Sequence, residues 1–145
     1  MQDQTAIRPA TGDDLNFIYD SWLSSCRYDS PLGNCKNSIF FDNYRRIIDD
    51  VLSLDNTHVF VACLTEDPHV ILGYLACELP NIIHYIFTKD AFRQFGIAKA
   101  LVTHAFKDTS NLITTHRTGY VEPILRSHPQ ITYNPFLFFF SEGDL

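Results

Sequence analysis

The sequence lacks the residue spacings that hold metal ions. Its four cysteines include no CxxC pair, and its six histidines show no HxxxH or similar ligand spacing. We therefore expect no metal site, and no disulfides if the compartment is reducing. Cys63 and Cys77 fall in apolar segments with strand character, so we expect both to be buried thiols.

Signals for export or membrane insertion are also lacking. The first residues, MQDQTAIRPA, contain neither a basic start nor a hydrophobic stretch. The apolar run from Phe136 to Phe140 is far too short to span a bilayer. These features favour residence in a cytoplasm and predict no membrane partner. The length of 145 residues suits a single domain covering 1–145.

The chain has little positive charge, and that charge is unevenly placed. The formal net charge of −6 argues against binding to nucleic acid or to an anionic membrane. Residues 89–107 nevertheless contain one acid, Asp90, and four cations, Lys89, Arg93, Lys99 and Lys107. Such a segment fits a small anionic ligand better than a polymer, although a solvated helix face would have the same composition.

Hydrophobic periodicity predicts one α+β (mixed α/β) domain with a single central sheet. Strands are indicated by apolar, β-branched runs, and helices by apolar residues three and four positions apart. Thr11 and Asp14 form a capping-box-like start for the first helix. A helical crossover predicts that strands 82–88 and 112–115 are parallel. The predicted order is β-α-α-β-β-β-α-β-α-β: strand 4–8, a helix from residue 12, helix 39–54, strands 58–64, 70–79 and 82–88, helix 93–107, strand 112–115, a short helix near 121–127, and strand pieces at 131–133 and 136–140.

The informative stretch is a hydrophobic strand that leads through a short loop into the helix opening with Arg93-Gln94-Phe95-Gly96-Ile97-Ala98. The first turn of a helix presents N–H groups without intrahelical partners, and the helix dipole favours an anion there. Gly96 would let a phosphate approach the backbone closely. No GxxxxGK[ST] and no GxGxxG occurs, so a nucleotide triphosphatase or a Rossmann enzyme is not expected.

Arg93 to Ala98 resembles the R/Q-x-x-G-x-G/A signature of GNAT N-acetyltransferases, and the element order is similar to that fold. The resemblance implies a twisted, mostly antiparallel sheet with helices on both faces, and acetyl-CoA as the co-substrate. Ala98 stands where many members have glycine. The stretches IRPATGDDLNFIYDSWL, HYIFTKDAFRQFGIAKAL and TYNPFLF further resemble small acetyltransferase-like proteins of bacteriophages and prophages.

The resemblance also assigns residues that would bind acetyl-CoA. Backbone groups of Ile86, Phe87 and Thr88 would pair with the pantetheine arm as an added strand. Backbone N–H groups would hold the pyrophosphate, and Arg93 and Lys99 would add charge-assisted contacts. The residues that supply those N–H groups are Gln94, Phe95, Gly96, Ile97, Ala98 and Lys99.

For catalysis, the resemblance implies direct attack of an amine on the thioester, with a base and an acid. His84, taken to share a strand face with Ile82 and Ile86, is the candidate base, and a pocket-filling histidine is the alternative. Tyr133 is the preferred acid over Tyr120, and a core aromatic residue is the alternative. Two carboxylates are weaker candidates for the base, Glu78 and Glu122.

The remaining predictions concern the acceptor of the acetyl group and the assembly of the protein. The resemblance places an amine acceptor, a small molecule or a protein, near the segments 28–37 and 119–133, where Asp29, Glu122 and several aromatic residues hint at a cationic amine. Members can dimerise through C-terminal strands, so 136–140 would form either a homodimer contact or core. Two rival hypotheses remain: an inactive GNAT-like protein that binds CoA or a host factor, and a structural protein without a CoA site.

Overall fold

The computed structural model describes residues 4–28, 32–92, 96–117 and 122–139. Within these ranges, only the backbone is described for Pro123 and Phe139. Six strands of this part of the chain form one sheet, in the spatial order β1-β2-β3-β4-β5-β6. The strands are β1 (Thr5–Pro9), β2 (Thr57–Leu64), β3 (Ile71–Glu78), β4 (Ile82–Thr88), β5 (Ile113–Thr114) and β6 (Thr132–Tyr133). The helices are α1 (Leu15–Cys26), α2 (Asn37–Leu52), α3 (Ile97–Ala105), α4 (Glu122–Ser127) and α5 (Phe136–Phe139).

The sheet is mixed, which confirms the predicted fold class. Strands β1 to β4 pair antiparallel, whereas β5 pairs in parallel with both β4 and β6. The parallel pairing of β4 with β5 follows from the α3 crossover between them, as the sequence predicts. The capping box of Thr11 and Asp14 is also present at the start of the first helical segment, where the Thr11 N–H donates to Asp14 Oδ2 at 2.7 Å.

Apolar side chains cover both faces of the sheet and form two cores. We call the side packed by α1, α2 and α5 the α1–α2 face, and the opposite side the α3 face. Buried members on the α1–α2 face include Ile18, Trp22, Tyr44, Ile48, Tyr74, Tyr85 and Phe138. Buried members on the α3 face include Leu72, Leu75, Ile83, Ile86, Ile97 and Leu101.

A β-bulge in β4 corrects the predicted orientation of His84. Ala76 pairs with Tyr85 and the next residue of β3 pairs with Ile83, so His84 is one extra residue in β4. A bulge interrupts the two-residue alternation of side chains. Ile83 and Ile86 consequently both pack on the α3 face. The His84 ring instead lies 5.8 Å from Phe138 on the α1–α2 face, so the predicted shared face with Ile86 is wrong.

Gly73 allows β3, β4 and α3 to approach one another closely. A β-carbon at this position would overlap the carbonyl oxygen of Phe87 and lie 3.2 Å from Thr88 Cα. It would also lie 3.3 Å from a methyl group of Ile97, the first residue of α3. The missing side chain therefore lets Phe87 and Thr88 of β4 and the start of α3 pack closely against β3.

The predicted strand at 136–140 is wrong over residues 136–139, which form α5. Asn134 and Pro135 start this helix: the Phe136 N–H donates to Asn134 Oδ1 at 3.2 Å, and the Phe138 N–H to the Pro135 carbonyl at 3.1 Å. Proline suits a helix start because its missing N–H would have no partner there. Phe138 is buried, with its ring 5.4 Å from that of Tyr44. Phe140 lies outside the described residues.

The cysteines are free thiols, and Cys63 and Cys77 are buried as predicted. Burial raises the pKa of Cys77 to about 12. Among the described residues, no three His, Cys, Asp or Glu side chains gather as a metal site would require. No described helix has the length and apolar character needed to cross a bilayer.

Candidate functional site

Strands β4 and β5 part after only two paired positions. Ile82 pairs with Ile113 and Ile83 with Thr114, and the Thr115 N–H donates to the Ile83 carbonyl at 3.0 Å. Strand β5 ends there, whereas β4 continues to Thr88. We call the place where the strands part the fork, and residues 86–88 the outer half of β4.

Backbone groups of the outer half alternate between the two edges of β4. The Lys89 N–H donates to the Leu72 carbonyl at 2.9 Å, so the groups of Lys89 and Phe87 face β3. Those of Ile86 and Thr88 face the opposite edge. In the described part of the chain, no strand pairs with that edge beyond the fork. Two of the three predicted pantetheine contacts, Ile86 and Thr88, thus present backbone donors and acceptors there.

The outer half of β4 leads towards the N-terminus of α3. Gly96 caps this helix with φ 75° and ψ 18°, a left-handed conformation that favours glycine. A β-carbon on Gly96 would meet no described atom within 4 Å. The N–H groups of Ile97, Ala98 and Lys99 lie in the first turn and have no intrahelical partner. The other predicted phosphate contacts, at 93–95, lie outside the described residues.

His84 is completely buried at the fork, and both of its ring nitrogens are engaged. Its Nε2 lies 2.8 Å from Glu78 Oε1, and its Nδ1 lies 3.2 Å from Thr115 Oγ1. An imidazole held in this way receives a proton through one neighbour and releases it through the other. The role of His84 as the base stays a prediction, with Thr115 and Glu78 as its immediate proton partners.

Sequence reasoning missed three residues of this site: Tyr44, Thr115 and His116. Thr115 Oγ1 lies 2.8 Å from His116 Nδ1, and His116 Nε2 lies 2.6 Å from the Tyr44 hydroxyl. Burial, with a smaller contribution from nearby His84, lowers the pKa of His116 to about 3, so its ring is neutral near pH 7. The available signal was the Thr-Thr-His run after a short parallel strand, because carboxyl ends of parallel strands often carry functional groups.

Tyr133, the predicted acid, lies at the surface on β6. It pairs in register with Thr114, and it is 47% exposed. The guanidinium carbon of Arg117 lies 5.8 Å from the centre of its ring. Arg117 also donates to Glu122 at 2.9 Å and lowers the pKa of that carboxyl group. These residues form a surface cluster, the role of Tyr133 stays a prediction, and Tyr120 lies outside the described residues.

The predicted acceptor loop, 28–37, is held by the buried side chain of Arg27. Its Nη2 donates to the Cys35 carbonyl at 2.6 Å, and its Nε donates to Asn37 Oδ1 at 2.8 Å. The guanidinium carbon also lies 5.1 Å from the centre of the Phe40 ring. Arg27 therefore fixes the described part of the loop next to α2. Asp29 lies outside the described residues.

Solved structures with a similar fold include acetyltransferases. A proposed acetyltransferase from Pyrococcus furiosus superposes with a TM-score of 0.58 at 17% identity, over 70% of this chain and 72% of its own. A histone acetyltransferase HPA2-related protein from Corynebacterium glutamicum gives 0.52 at 16%, over 70% and 69%. An aminoglycoside acetyltransferase from an uncultured soil metagenomic sample, solved with sisomicin, gives 0.50 at 18%, over 87% and 88%.

These likenesses establish the fold, which is that of the GNAT acetyltransferases, as the sequence predicts. No protein-family model matches the sequence. A search of curated proteins found no match either. Because the fold alone does not fix the reaction, the function has to be argued from the site.

Proposed function

We propose that the protein transfers an acetyl group from acetyl-CoA directly to an amine acceptor. The observation that carries this proposal is the fork: β5 no longer pairs with β4 after Ile83, and the outer half of β4 leads to the glycine-capped start of α3. An extended edge that ends at an anion-favouring helix terminus suits a ligand with a strand-like arm and a diphosphate. Acetyl-CoA has both parts.

Binding would use the backbone more than side chains. The amide and carbonyl groups of Ile86 and Thr88 would pair with the pantetheine arm, whose amides match a strand edge. The first-turn N–H groups of α3, from Ile97 to Lys99, would hold the pyrophosphate, and the Lys99 ammonium would add a charge-assisted contact. The predicted contacts of residues 93–95, Arg93 among them, belong to the same proposal.

The acceptor would be a primary amine of a small molecule or of a protein. The sisomicin complex of the soil acetyltransferase supports the small-molecule class, because there an aminoglycoside acetyltransferase of the same fold binds sisomicin. A neutral amine nitrogen is the nucleophile in this reaction, so the amine must lose a proton on or before transfer. The surrounding residues must therefore accept that proton and supply one to the leaving thiolate.

Narrower aspects of the proposal concern origin and assembly. On the three resembling stretches alone we propose a protein of the phage and prophage subgroup, which would act in the host cytoplasm. A homodimer built on a C-terminal strand is not supported over residues 136–139, because they form α5. The inactive CoA-binding protein is the second candidate, and the buried, fully engaged ring of His84 is the observation that favours it.

Calorimetric titration with acetyl-CoA tests the proposal. We expect a dissociation constant in the micromolar range for the wild type. Gly96→Glu should abolish binding, because the new carboxylate would occupy the open space above the first turn of α3 and repel the diphosphate. Gly12→Glu is the matched control, since a side chain there also meets no described atom within 4 Å. No heat and no thermal shift with the wild type would defeat the proposal.

Thiol release then separates the enzyme from the inactive binder. The wild type, saturated with acetyl-CoA, would be assayed with a panel of aminoglycosides, polyamines and peptide amines, and free CoA would be followed with a thiol reagent. Release that depends on one class of amine supports transfer and identifies the acceptor class. Tight binding without release above the rate of spontaneous hydrolysis supports the second candidate.

A further inference from the structure

Five side chains at the fork form one continuous hydrogen-bonded chain. In order they are Glu78, His84, Thr115, His116 and Tyr44, and the four contacts measure 2.8, 3.2, 2.8 and 2.6 Å. Four of the five are buried, whereas the Glu78 side chain is 14% exposed. The chain therefore connects a buried hydroxyl on α2 with a carboxylate that reaches solvent at the end of β3.

With Glu78 ionised and both imidazoles neutral, only one set of proton positions satisfies all four hydrogen bonds. The carboxylate then accepts from His84 Nε2–H, which leaves His84 Nδ1 to accept from the Thr115 hydroxyl. The Thr115 oxygen accepts from His116 Nδ1–H, and His116 Nε2 accepts from the Tyr44 hydroxyl. Both imidazoles are neutral in this arrangement, which agrees with the low pKa of the buried His116 ring. If Glu78 is protonated, all four hydrogen bonds reverse.

We propose that this proton chain takes the proton from the acceptor amine at Tyr44 and delivers a proton to Glu78. The inference rests on the proposed function. The Tyr44 end lies at the fork, because its hydroxyl contacts His116, which directly follows Thr115, the last residue hydrogen-bonded to β4. Tyr44 is then the catalytic residue, and His84 acts within the chain without touching the substrate.

The transfer balances without any other reactant. The N–H bond of the attacking amine breaks and its proton goes to the Tyr44 oxygen, while the proton of Tyr44 moves to His116 Nε2. The Nδ1 proton of His116 passes to Thr115, the Thr115 proton passes to His84 Nδ1, and the Nε2 proton of His84 passes to Glu78. Each intermediate member gains one proton and loses one, so no charge is left in the buried interior, where a charge would be costly.

The same chain can return the proton to the leaving group. Collapse of the tetrahedral intermediate breaks the carbon–sulfur bond and leaves a thiolate, which needs one proton. Reversal of the four transfers moves a proton from Glu78 to Tyr44 and from Tyr44 to the sulfur, and it restores the starting hydrogen bonds. Over one turnover the amine loses one proton, the thiol gains one, and Glu78 is ionised again.

Thr115→Val tests the chain at its centre, because valine keeps the shape and removes the hydroxyl. We expect kcat to fall by about 100-fold, the lower end for loss of a positioned proton transfer, with little change in the dissociation constant for acetyl-CoA. Thr115→Ser should restore most of the activity. Thr114→Val is the matched control: Thr114 is equally buried, and its hydroxyl donates to the His116 carbonyl outside the chain.

The two ends are tested in the same way. Tyr44→Phe should lower kcat to a similar extent, whereas Tyr74→Phe, which removes another buried hydroxyl on the same face, should not. Glu78→Gln removes the terminal proton acceptor and should also lower kcat. A purely structural role would not affect the proton inventory. A plot of kcat against the deuterium content of the solvent should be curved for the wild type and linear for Thr115→Val.

Nitrogen-15 NMR of the imidazoles tests the direction of the chain independently of turnover. At pH 7 we expect the Nε2–H tautomer for His84 and the Nδ1–H tautomer for His116. The opposite pair of tautomers would overturn the proposal, as would a wild type that turns over while Thr115→Val is as active as Thr114→Val. A wild type that binds no acetyl-CoA would instead defeat the proposed function, and the proton chain with it.

Discussion

The two halves of β4 have different neighbours. Its inner half, residues 82–84, lies between β3 and β5, and it contributes His84 to a buried hydrogen-bonded group. Its outer half, residues 86–88, pairs with β3 but not with β5. One strand thus carries buried side-chain chemistry at one end and, at the other, backbone groups whose outer edge pairs with no described strand. In the proposed function, His84 of the inner half takes part in proton transfer, and the outer half binds the coenzyme.

The bulge at His84 accounts for the side-chain part of this difference. Without an extra residue, His84 would lie on the α3 face with Ile86, away from Tyr44 and His116. With it, His84 and Tyr85 both turn towards the α1–α2 face, and His84 reaches Thr115. A local irregularity in one strand therefore brings polar groups from α2, β3, β4 and the end of β5 together.

The largest effect on stability is expected at the outer half, from Gly73→Ala. The added methyl group would overlap the Phe87 carbonyl and must push β4 away from β3. Forcing backbone apart in this way should lower the free energy of unfolding by about 3 kcal/mol, measured by urea denaturation. Affinity for acetyl-CoA should fall as well, because α3 starts against the same site. Gly12→Ala is the control and should change stability little, since its methyl group meets no described atom within 4 Å.

A smaller loss of stability is expected at the inner half when the pH is lowered. Folded His116 stays neutral down to its pKa of about 3, whereas an unfolded histidine binds a proton below its ordinary pKa, so stability falls as the pH drops through this window. The loss should reach about 2 kcal/mol between pH 7 and pH 5. The groups that face the ring are the hydroxyls of Tyr44 and Thr115 and the imidazole of His84, with Trp22, Tyr85 and Phe138 completing the contacts.

His116→Phe isolates this contribution. The variant should be less stable at pH 7, because it removes the hydrogen bonds that His116 makes with the Tyr44 and Thr115 hydroxyls. Its free energy of unfolding should nevertheless fall less steeply with acid than that of the wild type. His69→Gln, on an exposed turn, should keep the wild-type slope. Equal slopes for His116→Phe and the wild type would show that His116 is not a neutral buried group.

The smallest effect is expected from Gly96→Ala. The left-handed backbone at this position should cost about 1 kcal/mol when a β-carbon is added, with no clash to increase it. Gly96→Asn should cost less, because asparagine tolerates this conformation. Thermal unfolding of the two variants measures the difference. If the alanine and asparagine variants prove equally stable, the strain at Gly96 is smaller than its φ of 75° suggests.

Sequence patterns were sufficient for the order of the elements as far as β6 and for the mixed sheet. Regular runs such as 58–64 and 82–88 have strong strand character, and the crossover helix required β5 to be parallel to β4. The pattern could not show that β4 contains an extra residue, because a bulge depends on the register with β3 and leaves no mark in the spacing of apolar residues. It also missed α5, where Asn134 and Pro135 start a helix inside an apolar run that resembles a strand.

The candidate site likewise contains residues that the sequence could predict and residues that it could not. Gly96 and the residues around it could be predicted, because a glycine at the start of a helix after a strand has a local physical meaning. The role of His116 could not, because its neutral state depends on burial against α1, α2 and α5, which are distant in sequence. Tyr44 similarly reads as one apolar position of an amphipathic helix until its hydroxyl is placed against His116.

The sequence by itself determined what depends on neighbours along the chain: the periodicity of helices and strands, the capping of the first helical segment, and a glycine without a side chain close to where α3 begins. The tertiary structure alone decided the register of β4 against β3, the early end of β5, and the five side chains that meet at the fork. The physical reason is that hydrogen-bonded contacts between distant segments depend on how the strands and helices pack, which the residues adjacent in sequence do not specify.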